Sequence, residues 1–366
     1  MEQSGKKIRY ALQEYFKHLK ENLLQLPPLK LDYFKSITDE TGILQHAKFA
    51  TPNRREGYTT DDNARALIAC AKHNELYRNL ETAKLADVYL GFLYHMQMKD
   101  GRLHNFLGYD RRFLDDVGSE DSIGRVLWAS GYLINSNFDA EKKLLSKEIF
   151  DKALPHAFNF TSPRAKAFAV LGLSQYHRAY PKDQTLSKGI IELVKQLLKL
   201  YKKSSSAEWH WFEEYLAYCN GRFPQALFEA YECVRDEDYL RIGKDSFNFI
   251  LKVQMNKGIF VPIGNKGWYR KGGLRAIYDQ QSVEASCMVE TALTAFRATH
   301  EINFRTAAET IFAWYFGKNT KGLRVYDPAI GSCYDGITPK GLNLNQGAEA
   351  TITYLLAQLD FEAISK

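Results

Sequence analysis

The chain has 366 residues, 45% of them hydrophobic, 25% charged and 13% aromatic, proportions that exclude a disordered or fibrous chain. A net charge of +6, from 49 basic against 43 acidic residues, is too slight for a nucleic-acid footprint; lysines such as Lys199, Lys202 and Lys203 read as a solvated helix face. No run approaches the ~18 uninterrupted apolar residues of a membrane span, so neither nucleic acid nor membrane is expected as a partner.

Met1 to Lys7 leads into an amphipathic run, Ile8 to Leu24. It lacks the apolar stretch and small-residue cleavage site of an export signal, and the expectation is a cytoplasmic protein. This run is read as an opening outer helix, with residues 1–50 supplying that helix and a lead-in loop. The five cysteines (Cys70, Cys219, Cys233, Cys287, Cys333) are odd in number, widely separated and free of CxxC pairs. Neither a disulfide framework nor a structural metal is expected from them, and no cofactor motif stands out.

From Thr60 onward one kind of segment recurs: a polar start followed by an alanine-rich helix of about fifteen residues. Its instances are Thr60-Asp-Asp-Asn-Ala-Arg-Ala-Leu, Ser119-Glu-Asp-Ser-Ile-Gly-Arg-Val, Ser162-Pro-Arg-Ala-Lys-Ala-Phe-Ala, Asn220-Gly-Arg-Phe-Pro-Gln-Ala-Leu, Asp279-Gln-Gln-Ser-Val-Glu-Ala-Ser and Asn345-Gln-Gly-Ala-Glu-Ala-Thr-Ile. Each opens on a residue whose side-chain oxygen can accept from the free amides of a first turn, and Pro163 suits a first helical position. Between them lie Glu81 to Gln97, Asp139 to Phe158, Asp183 to Lys203, Asp236 to Gln254 and Asn303 to Gly317, with apolar residues at three- and four-residue spacing and charges on the other face. Those helices have one wet side, whereas the alanine-rich set is small on several sides and reads as enclosed. Six enclosed helices alternating with six half-wet ones predict a single all-α domain over residues 1–366, an (α/α)6 toroid. The joins from inner to outer helices are short. The opposite joins, Lys99 to Gly118, Ser204 to Cys219, Asn256 to Tyr278 and Thr320 to Leu344, are long and should gather where the inner helices begin.

That end concentrates carboxylates, amides and aromatics. A polar cup with aromatic walls suits sugars, whose hydroxyls need paired donors and acceptors while their C–H faces pack on rings. Glycosidic cleavage needs two carboxyl groups across the bond, one kept protonated by apolar surroundings or a like charge. The candidates are Asp62, Asp121, Glu213 and Asp279, followed by Asp61, Asp335, Glu349 and Glu284. Tyr58, Asn63, Glu120, Arg125, Trp209, Trp211, Asn220, Trp268, Gln280, Gln281, Tyr334, Asn345 and Gln346 are the expected substrate contacts. Trp209 and Trp211 alternate with His210 and could form one sugar platform. First-turn acids also stabilise helix starts through capping and the backbone dipole, so each has a purely structural alternative.

Thr60-Asp-Asp-Asn-Ala-Arg, Ser119-Glu-Asp-Ser-Ile-Gly-Arg-Val-Leu-Trp, Trp211-Phe-Glu-Glu-Tyr-Leu-Ala-Tyr, Asp279-Gln-Gln-Ser-Val-Glu-Ala and Asp335-Gly ahead of Asn345-Gln-Gly-Ala-Glu-Ala-Thr occur in an order that resembles the all-helical, six-hairpin glycosidase-like proteins of bacteria. Members of that group stand alone or follow a family-4-type glycosyltransferase domain, often beside mannoside phosphorylases. The similarity runs from about Thr51 to Asp360 and departs from the pattern at Cys219, where an Asp is common, and at Ser282, where Pro is usual. The paired carboxylates of the cup predict a glycoside hydrolase that cleaves an oligosaccharide with two acids and water, and the resemblance implies mannose-containing chains as its substrate. The alternative is a non-catalytic carbohydrate-binding or accessory protein, and third comes a sugar epimerase of the same shape, which would want paired histidines.

Overall fold

A computed structural model describes residues 26–365; the helix expected over Ile8 to Leu24 lies outside the described residues. A short helix α1 (Asp32–Ser36) precedes five hairpins: α2 (Thr60–Tyr77) with α3 (Leu80–Met96), α4 (Glu120–Asn135) with α5 (Ala140–Ala157), α6 (Pro163–Ala179) with α7 (Gln184–Ser204), α8 (Arg222–Val234) with α9 (Glu237–Gln254), and α10 (Ser282–Thr299) with α11 (Ile302–Phe312). The last helix is α12 (Ala348–Ser365). The even-numbered helices pack successively on one another, and α12 returns to α2, closing the inner ring. Each odd-numbered helix from α3 to α11 packs on the outside of its partner. This is the expected (α/α)6 toroid.

The chemistry of the helices explains their layer. In α7 the buried set Leu186, Ile190, Leu193, Val194 and Leu197 keeps helical spacing, with lysines on the open face. Almost every position of α2, α4, α6 and α10 is buried, so small residues must bring backbones together. The tightest approach is between α4 and α6, where a Cβ added at Gly172 would lie 2.3 Å from the Leu127 carbonyl oxygen, and one at Gly131 would lie 2.1 Å from that of Gly172.

Capping agrees with expectation at α4 and α6, where Ser119 and Ser162 accept from Ser122 and Ala165 amides. Elsewhere it differs. Thr59 caps α2, since its hydroxyl oxygen faces the Asp62 amide, while the Thr60 hydroxyl donates to the His104 carbonyl. The helices expected after Asn220, Asp279 and Asn345 begin at Arg222, Ser282 and Ala348, because those polar side chains bond across loops or line the cup instead.

Charge crosses the middle of the ring. The Arg222 guanidinium donates to Glu290 at 2.7 Å and lies 4.4 Å from the centre of the Trp128 ring. Glu290 also accepts from Ser286 and sits 3.7 Å from Lys72, which pairs with Asp360 at 2.6 Å. Burial opposes the Glu290 charge, but Arg222 and Lys72 outweigh it and hold the carboxyl below its usual range. Helices α2, α4, α8, α10 and α12 thus meet in one ion-paired plug.

The long joins are knitted into short antiparallel ribbons at one end of the ring. Tyr58–Thr59 pairs with Phe106–Leu107, Tyr215–Leu216 with Tyr269–Arg270, and Gly336–Thr338 with both Gln280–Gln281 and Gly341–Asn343. Each ribbon ties a segment leading into an inner helix to another long join. Among the described residues no helix is long and apolar enough to cross a membrane.

Candidate functional site

At that end the inner ring opens into a two-lobed cup. One lobe, about 600 Å³, is lined by Thr59, Asp62, Arg65, Asn105, Phe106, Asp279, Gln280, Asp335 and residues of the Gly336–Thr338 ribbon, with His46 at its edge. The other, about 560 Å³, is lined by Glu120, Asp121, Arg125, Ser162, Tyr218 and Cys219. Asp61, Asn265, Gln281, Val283 and Glu349 border both lobes. Six of the proposed acids therefore meet here: Asp61, Asp62, Asp121, Asp279, Asp335 and Glu349.

Two arginines hold most of them in place. Arg65, one turn after Asp62, pairs with it at 2.7 Å and with Glu349 at 2.9 Å. Arg125 reaches Asp61 at 3.3 Å and Asp121 at 3.7 Å, and its guanidinium lies 4.5 Å from the centre of the Phe168 ring. Asp121 further accepts from Ser162 and Tyr218 hydroxyls at 2.8 and 2.9 Å. Asp62 accepts from the Thr59 hydroxyl at 2.8 Å; burial pushes its carboxyl up, while Arg65 pulls the other way. Glu349, at the start of α12, keeps 42% of its side chain open to solvent.

Asp335 sits in the loop before α12. Burial is the main cause that raises its carboxyl to about 6, and the nearby Glu349 charge adds to it. Its oxygens accept from the Asn345 side-chain amide and from the Gly347 amide, which partly offset that rise. Each oxygen retains a second lone pair, so the proton has a place to sit. An open carboxylate beside a buried carboxyl with a raised pKa is a division suited to general acid–base work.

Other candidates stand in the walls. Glu213 is drawn away from the cup into a 2.7 Å ion pair with Arg164, and Glu284 is buried, accepting from the Asn220 backbone and side-chain amides. Neither is among the residues that line a lobe, whereas Asp335 and Glu349 are. The tryptophan platform is also corrected: Trp209 and Trp211 are buried and pack edge-on against Phe249 and Tyr269, and against Phe212 and Phe223. A loop that covers a helical core buries its largest apolar rings first, and the indoles lost that competition.

Asn63 holds the Ile43 amide and Asn220 bridges to Ala217 and Glu284. Tyr58 is buried with its hydroxyl on Asp39, and Gln346 is buried against Ser332. Gln280 reaches the cup but spends its amide on Trp314, Ile277 and Thr320. Glu120 borders the second lobe, yet its carboxylate clasps the Thr161 amide and hydroxyl ahead of α6. Trp268 stacks on Tyr215 and donates to Asn265, Asn345 donates to Asp335, and Tyr334 packs half-buried against the core; none of these three lines a lobe.

Sequence reasoning overlooked Arg65, Asn105, Phe106, His46 and Asn265. Arg65 had a readable signal in its three-residue spacing from Asp62; the others sit in joins whose course only the tertiary ribbons define. Among the described residues, no three His, Cys, Asp or Glu side chains converge as a metal site requires.

No family model matches this chain, and no curated protein matches it. Solved structures do. A sugar epimerase from a ruminal bacterium aligns over 95% of this chain and 98% of its own, with 10% identity and a TM-score of 0.74. Cellobiose 2-epimerase from Bacillus thermoamylovorans covers 98% and 99%, with 12% identity and a TM-score of 0.71. A GH76 α-1,6-mannanase from Salegentibacter covers 92% and 97%, with 10% identity and a TM-score of 0.61. At such identities the likeness is one of fold, and that fold is the six-hairpin toroid.

Proposed function

We propose that this chain is a carbohydrate-active enzyme that hydrolyses a glycosidic bond in an oligosaccharide, with Asp335 as proton donor and Glu349 as the carboxylate that attacks or activates water. The observation that carries the reading is the position of Glu349 on the border of both lobes, within the electrostatic reach of an Asp335 whose pKa stands at about 6. A sugar on either side of that border would bring its linking oxygen to the acids. Asp61 and Asp62, fixed by Arg125 and Arg65, then serve as hydroxyl acceptors and as the source of negative potential that favours an oxocarbenium-like transition state. The GH76 α-1,6-mannanase among the fold neighbours makes mannose-containing chains the first substrates to try.

The test is product analysis by anion-exchange chromatography after incubation with α-1,6-mannobiose, α-1,6-mannotriose and cellobiose. Release of monosaccharide by the parent, with at least about a hundredfold loss in Asp335→Asn and Glu349→Gln, supports the assignment. Binding without any turnover would leave a carbohydrate-binding accessory protein.

One observation favours a second reading. His46 borders the same lobe as Asp335, 3.4 Å from the Asn345 side-chain amide, and two of the fold neighbours named above are epimerases. An imidazole there could carry a proton to or from a sugar carbon. Conversion of cellobiose into its C2 epimer, abolished in His46→Ala and with no monosaccharide released, would replace hydrolysis by epimerisation.

A further inference from the structure

With Trp209 and Trp211 committed to the core, the cup needs another surface for the apolar face of a sugar. The join ahead of α4 supplies one. Phe106 lies on the ribbon that pairs with Tyr58–Thr59; its neighbour Leu107 points inward and is buried, while Phe106 is 41% exposed and borders the lobe that holds Asp62, Arg65 and Asp335. An exposed ring of that size beside carboxylates is not explained by packing.

Asn105 gives a second, independent sign. Only 7% of it is exposed, it lines the same lobe, and its buried side-chain Oδ1 has no hydrogen-bond partner. A buried polar atom without a partner is costly unless something that binds there completes it. The backbone beneath is rigid: the Asp115 carboxylate accepts from the Asn105 and Phe106 amides at 2.8 and 2.9 Å, and the Asn105 carbonyl accepts from the Thr60 amide at 2.8 Å. The two side chains are thus held ready without contributing to that scaffold.

We infer that Asn105 and Phe106 form a sugar subsite beside the reacting carboxylates, Phe106 taking the C–H face of a pyranose and Asn105 bonding one of its hydroxyls. This rests on the oligosaccharide reading above and names a part of the chain that engages the substrate. Calorimetric titration of the full chain carrying Glu349→Gln, with α-1,6-mannotriose and cellotriose as probes, tests it. Adding Phe106→Ala or Asn105→Ala should weaken binding of the preferred probe by about tenfold each, and Phe106→Trp should restore it, with thermal midpoints unchanged. Binding within twofold of the background in both alanine variants would overturn the subsite and leave the oligosaccharide reading standing. Failure of both probes to bind the background protein would overturn the two together.

Discussion

In the proposed reaction Asp335 ties pH to both turnover and stability. As a proton donor it must be protonated, so kcat/KM should fall as pH rises through about 6; a profile in which Asp335→Glu leaves that alkaline limb unmoved would reject the role. The stability sign follows from the same shift. Folding raises this carboxyl above its unfolded value of about 3.9, so the native state holds the proton more tightly. That contribution is complete below about pH 4 and is lost as pH climbs through about 6. Asp335→Asn should therefore flatten the thermal midpoint across this window, measured by calorimetry at half-unit intervals. Single acids were only partly legible in the sequence. Asp62 stands in the first turn of a helix and Glu213 in a loop beside aromatic residues, yet Asp62 pairs with Arg65 and lines the cup while Glu213 pairs with Arg164 and lines neither lobe; a linear text does not say which arginine arrives first.

The alternation of alanine-rich and half-wet helices was readable because burial on all sides demands small residues while a wet face tolerates lysine. Asp139, Asp183 and Asp236 do cap the outer helices as their polar starts suggest. The joins were not readable, since their ribbons depend on partners such as Tyr215 and Arg270, 55 positions apart. Within the inner ring the contact between α4 and α6 sets a sharp test. Gly172→Ala forces a methyl group against the Leu127 carbonyl and should destabilise by about 2–4 kcal/mol, with the backbones unable to separate without opening the ring. Equilibrium urea unfolding measures it; a change under about 0.5 kcal/mol would mean that the two helices slide freely.

Across the whole molecule, the ion-paired plug links five inner helices that are far apart in sequence. Glu290→Gln leaves Arg222 buried without its counter-charge and should remove about 3–5 kcal/mol at neutral pH. Denaturant titration of parent and variant at pH 7 and pH 4 checks this: the penalty should shrink in acid, because a carboxyl held below its usual range gives stability that is full above its unfolded value and falls away as the unfolded chain takes up the proton first. The plug also has a kinetic corollary. It ties opposite sides of the inner ring together, so the cup keeps one fixed shape, and a spent sugar occupies the same carboxylates that the next substrate needs. Released monosaccharide should then compete with fresh substrate, raising KM while leaving kcat alone; initial rates at several concentrations of added product measure this, and a fall in kcat instead would mean that the product binds somewhere other than the cup.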